Sequence, residues 1–379
     1  MKSIQYLGLF LAAGLASISI GRSLPAVSQT TVQLQTQPPL NQIVPATEPV
    51  RLTLQATSSN QQSLANSRFQ VRLLAPAKTP WLTSDSPIVE GTTLLEMNAI
   101  APSGSLQFEQ TLPIRGTYRL EVSLAPEATG AFEPFEQVLT FAVPENPVKY
   151  RNLALLVTIL LAAGLGSGWV LGGDQKVQDG EIAPQPVRML LSAATLLAIA
   201  VLLVVNVGAE MADRHAHHTH AVEAAAPAMQ RSQGIQVQLL GDDQATVGQT
   251  VTQTIQATDV ATGRPIADLD LNLQVVALEH NELIFQFAGV LDTDGKFTWQ
   301  PQFFDGAPHR VTATLSASNP ARQVSPIQVS HQVDVEGIAP PMSLRFISLM
   351  YFTAIFVVGW MMGLVIRRRL PQQRWRSAG

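Results

Sequence analysis

The stretch Glu210 to Glu223, EMADRHAHHTHAVE, carries four of the chain's seven histidines: His215, His217, His218 and His220. Neutral imidazole is the commonest metal-binding side chain, and several within a few residues can close on one ion by chelation. Glu210, Met211, Asp213 and Glu223 could supplement them. If a helix continues past Ala209, then Met211, His215 and His218 share one face at i, i+4 and i+7. A solvated linker that happens to hold histidines is the plainer alternative. Imidazole with occasional carboxylate or thioether suits Cu, Ni, Zn or Co, and binding should weaken below about pH 6.5, where the ring protonates.

Three more residues can be brought near that cluster by following strand direction, because consecutive antiparallel strands reverse. Leu269 to Glu279 runs toward one end, where His280 sits in the turn LEHNEL. Leu283 to Val290 runs back, and Lys296 to Phe303 returns to the first end, where FDGAP leads into His309. His280, Asp305 and His309 therefore share an end. The last strand, Gln323 to Val335, comes back to that end just before an apolar segment, so it should face the membrane and meet the histidine cluster. Turns also commonly hold single exposed histidines, and Asp305 and Glu282 read equally well as turn residues. His331 lies on the apolar side of the alternation Ile327, Val329, His331, Val333, Val335, which predicts a core or rim histidine.

Other chemistry is excluded or unsupported. With no cysteine there are no disulfides, thiolate zinc sites, iron–sulfur clusters or cysteine nucleophiles. No nucleophile–base constellation, phosphate loop or HExxH pattern is present, so an enzyme is not expected. A net charge of −4, with basic residues gathered only near the C-terminus, leaves no nucleic-acid footprint.

The elements that must position these residues are those of a membrane protein: the chain is 46% apolar and only 14% charged. Residues 1–28 read as a secretory signal peptide, with Lys2, an apolar run and AVS before Gln29. Residues 29–148 and 234–337 alternate Val, Thr, Gln and Leu between Pro, Gly and Asn clusters, which predicts exported β-sandwiches. Three apolar segments, at 152–172, 188–209 and 344–366, have the roughly 20 residues needed to cross about 30 Å of hydrocarbon. The loop 173–187 is then cytoplasmic, 210–233 is the histidine-rich exported linker, and the basic tail 367–379 is cytoplasmic by the positive-inside rule. The predicted fold is thus two Ig-like all-β sandwich domains plus three transmembrane α-helices. Gly164, Gly168 and Gly172 form a stripe on the first helix, and Gly359 with Gly363 a second, where transmembrane helices could approach closely. The apolar runs Leu153 to Leu171, Met189 to Gly208 and Phe346 to Ile366 contain no Asp, Glu, Lys, Arg or His, so a transporter is not expected.

The sandwiches read as copies of one module. VRLTLQAT (Val50 to Thr57) matches VTQTIQAT (Val251 to Thr258), and SGSLQFEQTLPIRGTYRL (Ser103 to Leu120) matches DGKFTWQPQFFDGAPHRV (Asp294 to Val311). His309 stands close to where the first copy has Tyr118, and that copy contains no histidine.

At DGKFTWQPQFFDGAPHRVTATL the second copy resembles the small exported β-domains of the YtkA-like and CopC-like kind, through its glycine, aromatic and histidine pattern. The resemblance implies a periplasmic accessory role beside heavy-metal efflux or copper handling. The residues and the resemblance together predict a membrane-anchored transition-metal accessory protein, with the bilayer and a metal-efflux protein as partners. The alternative is a scaffold or assembly subunit of a membrane complex whose Ig-like domains bind another exported protein.

Overall fold

The computed structural model describes residues 30–79, 86–128, 130–173, 180, 182–194, 228–267, 269–318, 325–338 and 341–374, and for 370–374 the backbone alone. The signal peptide predicted at 1–28 lies outside the described residues, as do Met211, His215, His217, His218 and His220.

The first module has seven strands: β1 (Thr31–Gln37), β2 (Pro49–Thr57), β3 (Ser67–Leu74), β4 (Thr93–Ala101), β5 (Ser105–Thr111), β6 (Gly116–Pro126) and β7 (Phe135–Val143). They pair antiparallel as β1–β2–β5 and as β4–β3–β6–β7. Period-two alternation decides what is inside: Leu52, Leu54 and Ala56 of β2 and Phe69, Val71 and Leu73 of β3 are wholly buried, while Arg51, Arg68 and Arg72 between them stay exposed.

The second module repeats this plan with β9 (Ile235–Gly241), β11 (Gln253–Asp259), β12 (Leu269–Ala277), β13 (Glu282–Val290), β14 (Lys296–Pro301), β15 (His309–Ala317) and β16 (Ile327–Glu336). Two short strands are added at its edges, β8 (Met229–Ser232) on β9 and β10 (Gln244–Thr246) parallel to β16. Register confirms the repeat residue by residue. Leu52 pairs with Phe108 as Gln253 pairs with Trp299, and Leu73 pairs with Leu120 as Val275 pairs with Val311.

The two modules pair strand to strand rather than meeting as separate bodies. β4 pairs with β14, setting Met97 opposite Trp299, Glu96 opposite Gln300 and Leu95 opposite Pro301. β13 pairs with β5, setting Phe287 opposite Phe108, Gln286 opposite Glu109 and Phe285 opposite Gln110. The 16 strands of the described residues thereby join one hydrogen-bonded network over a single contiguous apolar core. Side chains tie the same seam: Thr111 Oγ1 donates to Leu283 O at 2.7 Å, and Gln302 Nε2 to Thr92 Oγ1 at 2.8 Å.

Among the described residues two helices are long and apolar enough to cross a membrane, α1 (Pro147–Leu171) and α2 (Met342–Arg374, its apolar part Met342–Arg369). Both bounds differ from those expected. α1 starts at Pro147 rather than 152, because Pro at the first helical position and the Asn146 side chain accepting from Val148 N at 3.0 Å fix the start there. Lys149 consequently falls in the first turn, where Glu145 offsets its charge at 3.3 Å and also meets Arg115 at 2.9 Å. α2 continues as helix through the arginines beyond Ile366. Residues 185–194 are also helical; the rest of the predicted span 188–209 lies outside the described residues.

α1 and α2 pack backbone to backbone through their glycines. A Cβ on Gly164 would overlap Phe356 O, one on Gly168 Trp360 O, one on Gly359 Leu161 O and one on Gly363 Leu165 O. Contact positions rise together along both helices, so the pair is parallel. Small residues permit that approach, and close packing rather than a hydrophobic drive holds helices together in lipid. Away from the seam Leu155, Ile159, Phe346 and Met350 are exposed.

Candidate functional site

The end of the second module predicted to gather His280, Asp305 and His309 exists as a place. Ala277 closes β12 opposite His309, which opens β15, and His309 pairs with Val333 near the end of β16, just before α2. His280 lies in the turn between β12 and β13, and Asp305 in the loop from β14 to β15.

The side chains, however, are not aimed at one point. His280 is exposed, 4.0 Å from Glu279. His309 is only 1% exposed, its ring centred 4.6 Å from that of Phe303 and its Nδ1 2.7 Å from Ala307 O. A carbonyl can only accept, so Nδ1 carries the proton and the neutral ring keeps its lone pair on Nε2. That tautomer is the one a metal-ligating histidine holds when its other nitrogen donates to a carbonyl. Among the described residues, though, no group of three or more His, Asp or Glu could hold a metal ion. His309 faces inward because it shares the alternation of Val311, Ala313 and Leu315, all buried.

The first module shows what this position does structurally. Tyr118, at the equivalent point of β6, stacks on Phe141 at 5.4 Å between centroids, donates its hydroxyl to Ile114 O and accepts from Ile114 N at 3.1 Å. This clamps the chain entering the strand, as a tyrosine corner does. Burial raises the Tyr118 phenol well above its ordinary range, keeping it a donor. His309 clamps the second module by the same route with a shorter reach.

Burial holds His309 below the usual histidine pKa, against the smaller opposing effects of the Ala307 carbonyl and Asp305. The unfolded chain therefore binds this proton more readily than the folded one. The His309 contribution is complete above about pH 6.5 and is lost as pH falls below that value. His309→Gln should lower the melting midpoint near pH 7.5 and flatten its decline toward pH 5, measured by circular dichroism of the full chain in detergent. An unchanged decline would place the titration elsewhere.

His331 sits between buried Val329 and Val333 on β16, partly exposed, with Nε2 3.3 Å from Asp242 O. It is a rim histidine bonded to the backbone.

No family model and no curated protein matches this chain. Solved structures align only loosely. FetP from uropathogenic E. coli strain F11, a variant of which has been seen copper-bound, is 12% identical, covering 30% of this chain and 96% of its own, at a TM-score of 0.22. The CARDB domain of the Pyrococcus furiosus PF1109 protein, in complex with di-metal ions, is 14% identical over 27% of this chain and 94% of its own, at 0.20. The D0-D1 domain of intimin is 10% identical over 81% and 100%, at 0.19.

What the described residues bring together instead are matching halves: β4 with β14 and β5 with β13 between the modules, and the glycines of α1 with those of α2. Arg367, over the Trp169 ring at 5.2 Å, adds a contact between the two helices.

Proposed function

We propose that this protein is a membrane-anchored assembly subunit, whose two Ig-like sandwiches form one stiff body outside the bilayer and position a partner of a membrane complex. The observation that carries this reading is the strand-to-strand joining of the two modules, with the two helices that follow them interlocked through their glycines. Such a body positions and transmits; it needs no chemistry of its own.

Three spans with a cytoplasmic C-terminus belong to the same proposal. α1 follows β7, α2 follows β16 and the two run parallel, so the chain leaving α1 has to return before entering β8. With 25 residues at 1.5 Å each, α1 is about 37 Å long. The uncharged stretch Met189 to Gly208 suits that return, and the arginines from Arg367 onward favour the inner side.

A second reading, transition-metal capture beside an efflux or delivery system, is favoured by the four imidazoles between His215 and His220. His280, His309 and Asp305 add nothing convergent to it. One experiment separates the two. The full chain and its His215→Ala/His217→Ala/His218→Ala/His220→Ala variant are purified in mild detergent with and without chelator, then titrated with Cu, Ni, Co and Zn near pH 7.5 and 5.5. Assembly predicts the same co-purifying membrane protein in all four preparations. A partner lost with chelator and with the variant, together with metal binding that fades at the lower pH, would replace it with the metal reading.

A further inference from the structure

The two halves meet as the halves of a symmetric dimer do. In the repeat Met97 corresponds to Phe287, since they pair with Val71 and Leu273, the matching positions of β3 and β12. Phe108 likewise corresponds to Trp299. Exchanging the halves therefore turns the pair Met97–Trp299 into Phe287–Phe108, and every pair of β4–β14 into one of β13–β5. Ile100 is bridged to Val290, its own counterpart, which puts the two-fold axis between them.

The helices obey the same axis. Gly164 meets the residue three before Gly359, and Gly359 the residue three before Gly164; Gly168 and Gly363 repeat the relation. Gly164 also lies as far along α1 from Pro147 as Gly359 lies along α2 from Met342. This reciprocity is the mark of an isologous interface, in which residue i touches j and j touches i.

The outward-facing pairs on the seam break the symmetry in one respect. Glu96 of β4 faces Gln300 of β14, and Glu109 of β5 faces Gln286 of β13. Two first halves docked in this way would set Glu96 against Glu109 twice, and like charges directly opposite destabilise a strand pair. Arg51, 2.7 Å from Glu109, and Arg72, 4.0 Å from Glu96 and 3.7 Å from Glu121, soften that repulsion without giving each glutamate a second cation across the seam.

We propose that the β4–β5 edge with the glycine stripe of α1 is one half of a self-complementary surface whose fitting partner is another module-and-helix unit of the same kind, and that Glu96 and Glu109 restrict that partner to a unit with glutamine at the facing positions. Here residues 286 and 300 supply those glutamines, and the chain closes the pair within one polypeptide. Specificity of this sort rests on a repulsion built against the wrong partner.

The test uses isosteric changes in the full chain, with the melting midpoint in detergent as readout. Gln286→Glu/Gln300→Glu should lower the midpoint by several degrees near pH 7.5, and the deficit should shrink in high salt or as pH falls toward about 4, where glutamate protonates. Adding Glu96→Gln/Glu109→Gln to that variant moves the carboxylates to the other half and should restore most of the midpoint. No loss in the double variant overturns the charge rule. A loss that the fourfold variant fails to recover overturns the equivalence of the two halves. A deficit unaffected by pH and salt overturns both, because it would mark a packing fault. Failure here leaves the assembly reading to its own test, which depends on the partner recovered.

Discussion

Gly168→Ile separates α1 from α2. A Cβ at this position already overlaps Trp360 O, and the contact is backbone, so no side chain can turn away to make room. Overpacking of this kind costs about 1–3 kcal/mol where the surroundings can shift. Here the two backbones themselves must move apart, and the neighbouring contacts of Gly164, Gly359 and Gly363 open with them. The readout exploits the absence of cysteine. A Cβ on Gly172 would stand 3.3 Å from Cβ of Arg367, close to the roughly 3.5–4.5 Å of a disulfide. Gly172→Cys/Arg367→Cys should therefore oxidise readily in the otherwise unchanged chain and fall about tenfold or more once Gly168→Ile is added, each 1.4 kcal/mol being a factor of ten. The β body should keep its circular dichroism. Undiminished cross-linking would show that the glycines do not hold the pair.

Trp299→Ala should be the most damaging single change in the β body. Trp299 is wholly buried, stacks at 5.6 Å on Phe297 and stands across the seam from Met97. Truncating a large buried aromatic costs about 3–5 kcal/mol, a sizeable part of the roughly 5–15 kcal/mol that holds a typical domain together. Trp299→Phe should be far milder. The indole Nε1 is buried without a hydrogen-bond partner, and an unsatisfied buried donor costs roughly 1–3 kcal/mol, so its removal offsets much of the lost volume. Phe108 shows that phenylalanine serves at the equivalent place. Denaturant unfolding of the full chain in detergent would rank the variants, and a Phe variant as unstable as the Ala variant would contradict this account.

Local signals made much of the fold legible. Alternation gave the strands and their inward faces, and the match of VRLTLQAT with VTQTIQAT proved to be a structural equivalence, with Leu52 and Gln253 at the same register. Strand reversal placed His280, Asp305 and His309 at one end. Strand direction alone does not say which way each side chain points there, although the alternation that put His331 on the apolar side also puts His309 with Val311 and Ala313. Asn146 followed by Pro147 marks the α1 start, which the apolar run alone puts at 152. The seam was not legible. β4, β5, β13 and β14 alternate in the same way whether their edges meet water or another strand, so no period in the sequence reports the pairing. The glycine stripes announce close packing but not direction; the parallel course of the helices follows only from where each glycine lands.

If the two modules are joined strand to strand within one chain, cysteines set opposite each other across β4–β14 and β5–β13 should pair. Directly opposed residues of an antiparallel pair lie about 4.5–5.5 Å apart at Cα, inside the roughly 4.4–6.8 Å that a disulfide spans. Glu96→Cys/Gln300→Cys and, separately, Glu109→Cys/Gln286→Cys are introduced into the full chain, oxidised in the membrane and run on a non-reducing gel. Both pairs should close within single chains, giving faster-migrating monomers. Pairs that stay reduced, or that link one chain to another, would contradict the strand-to-strand joining.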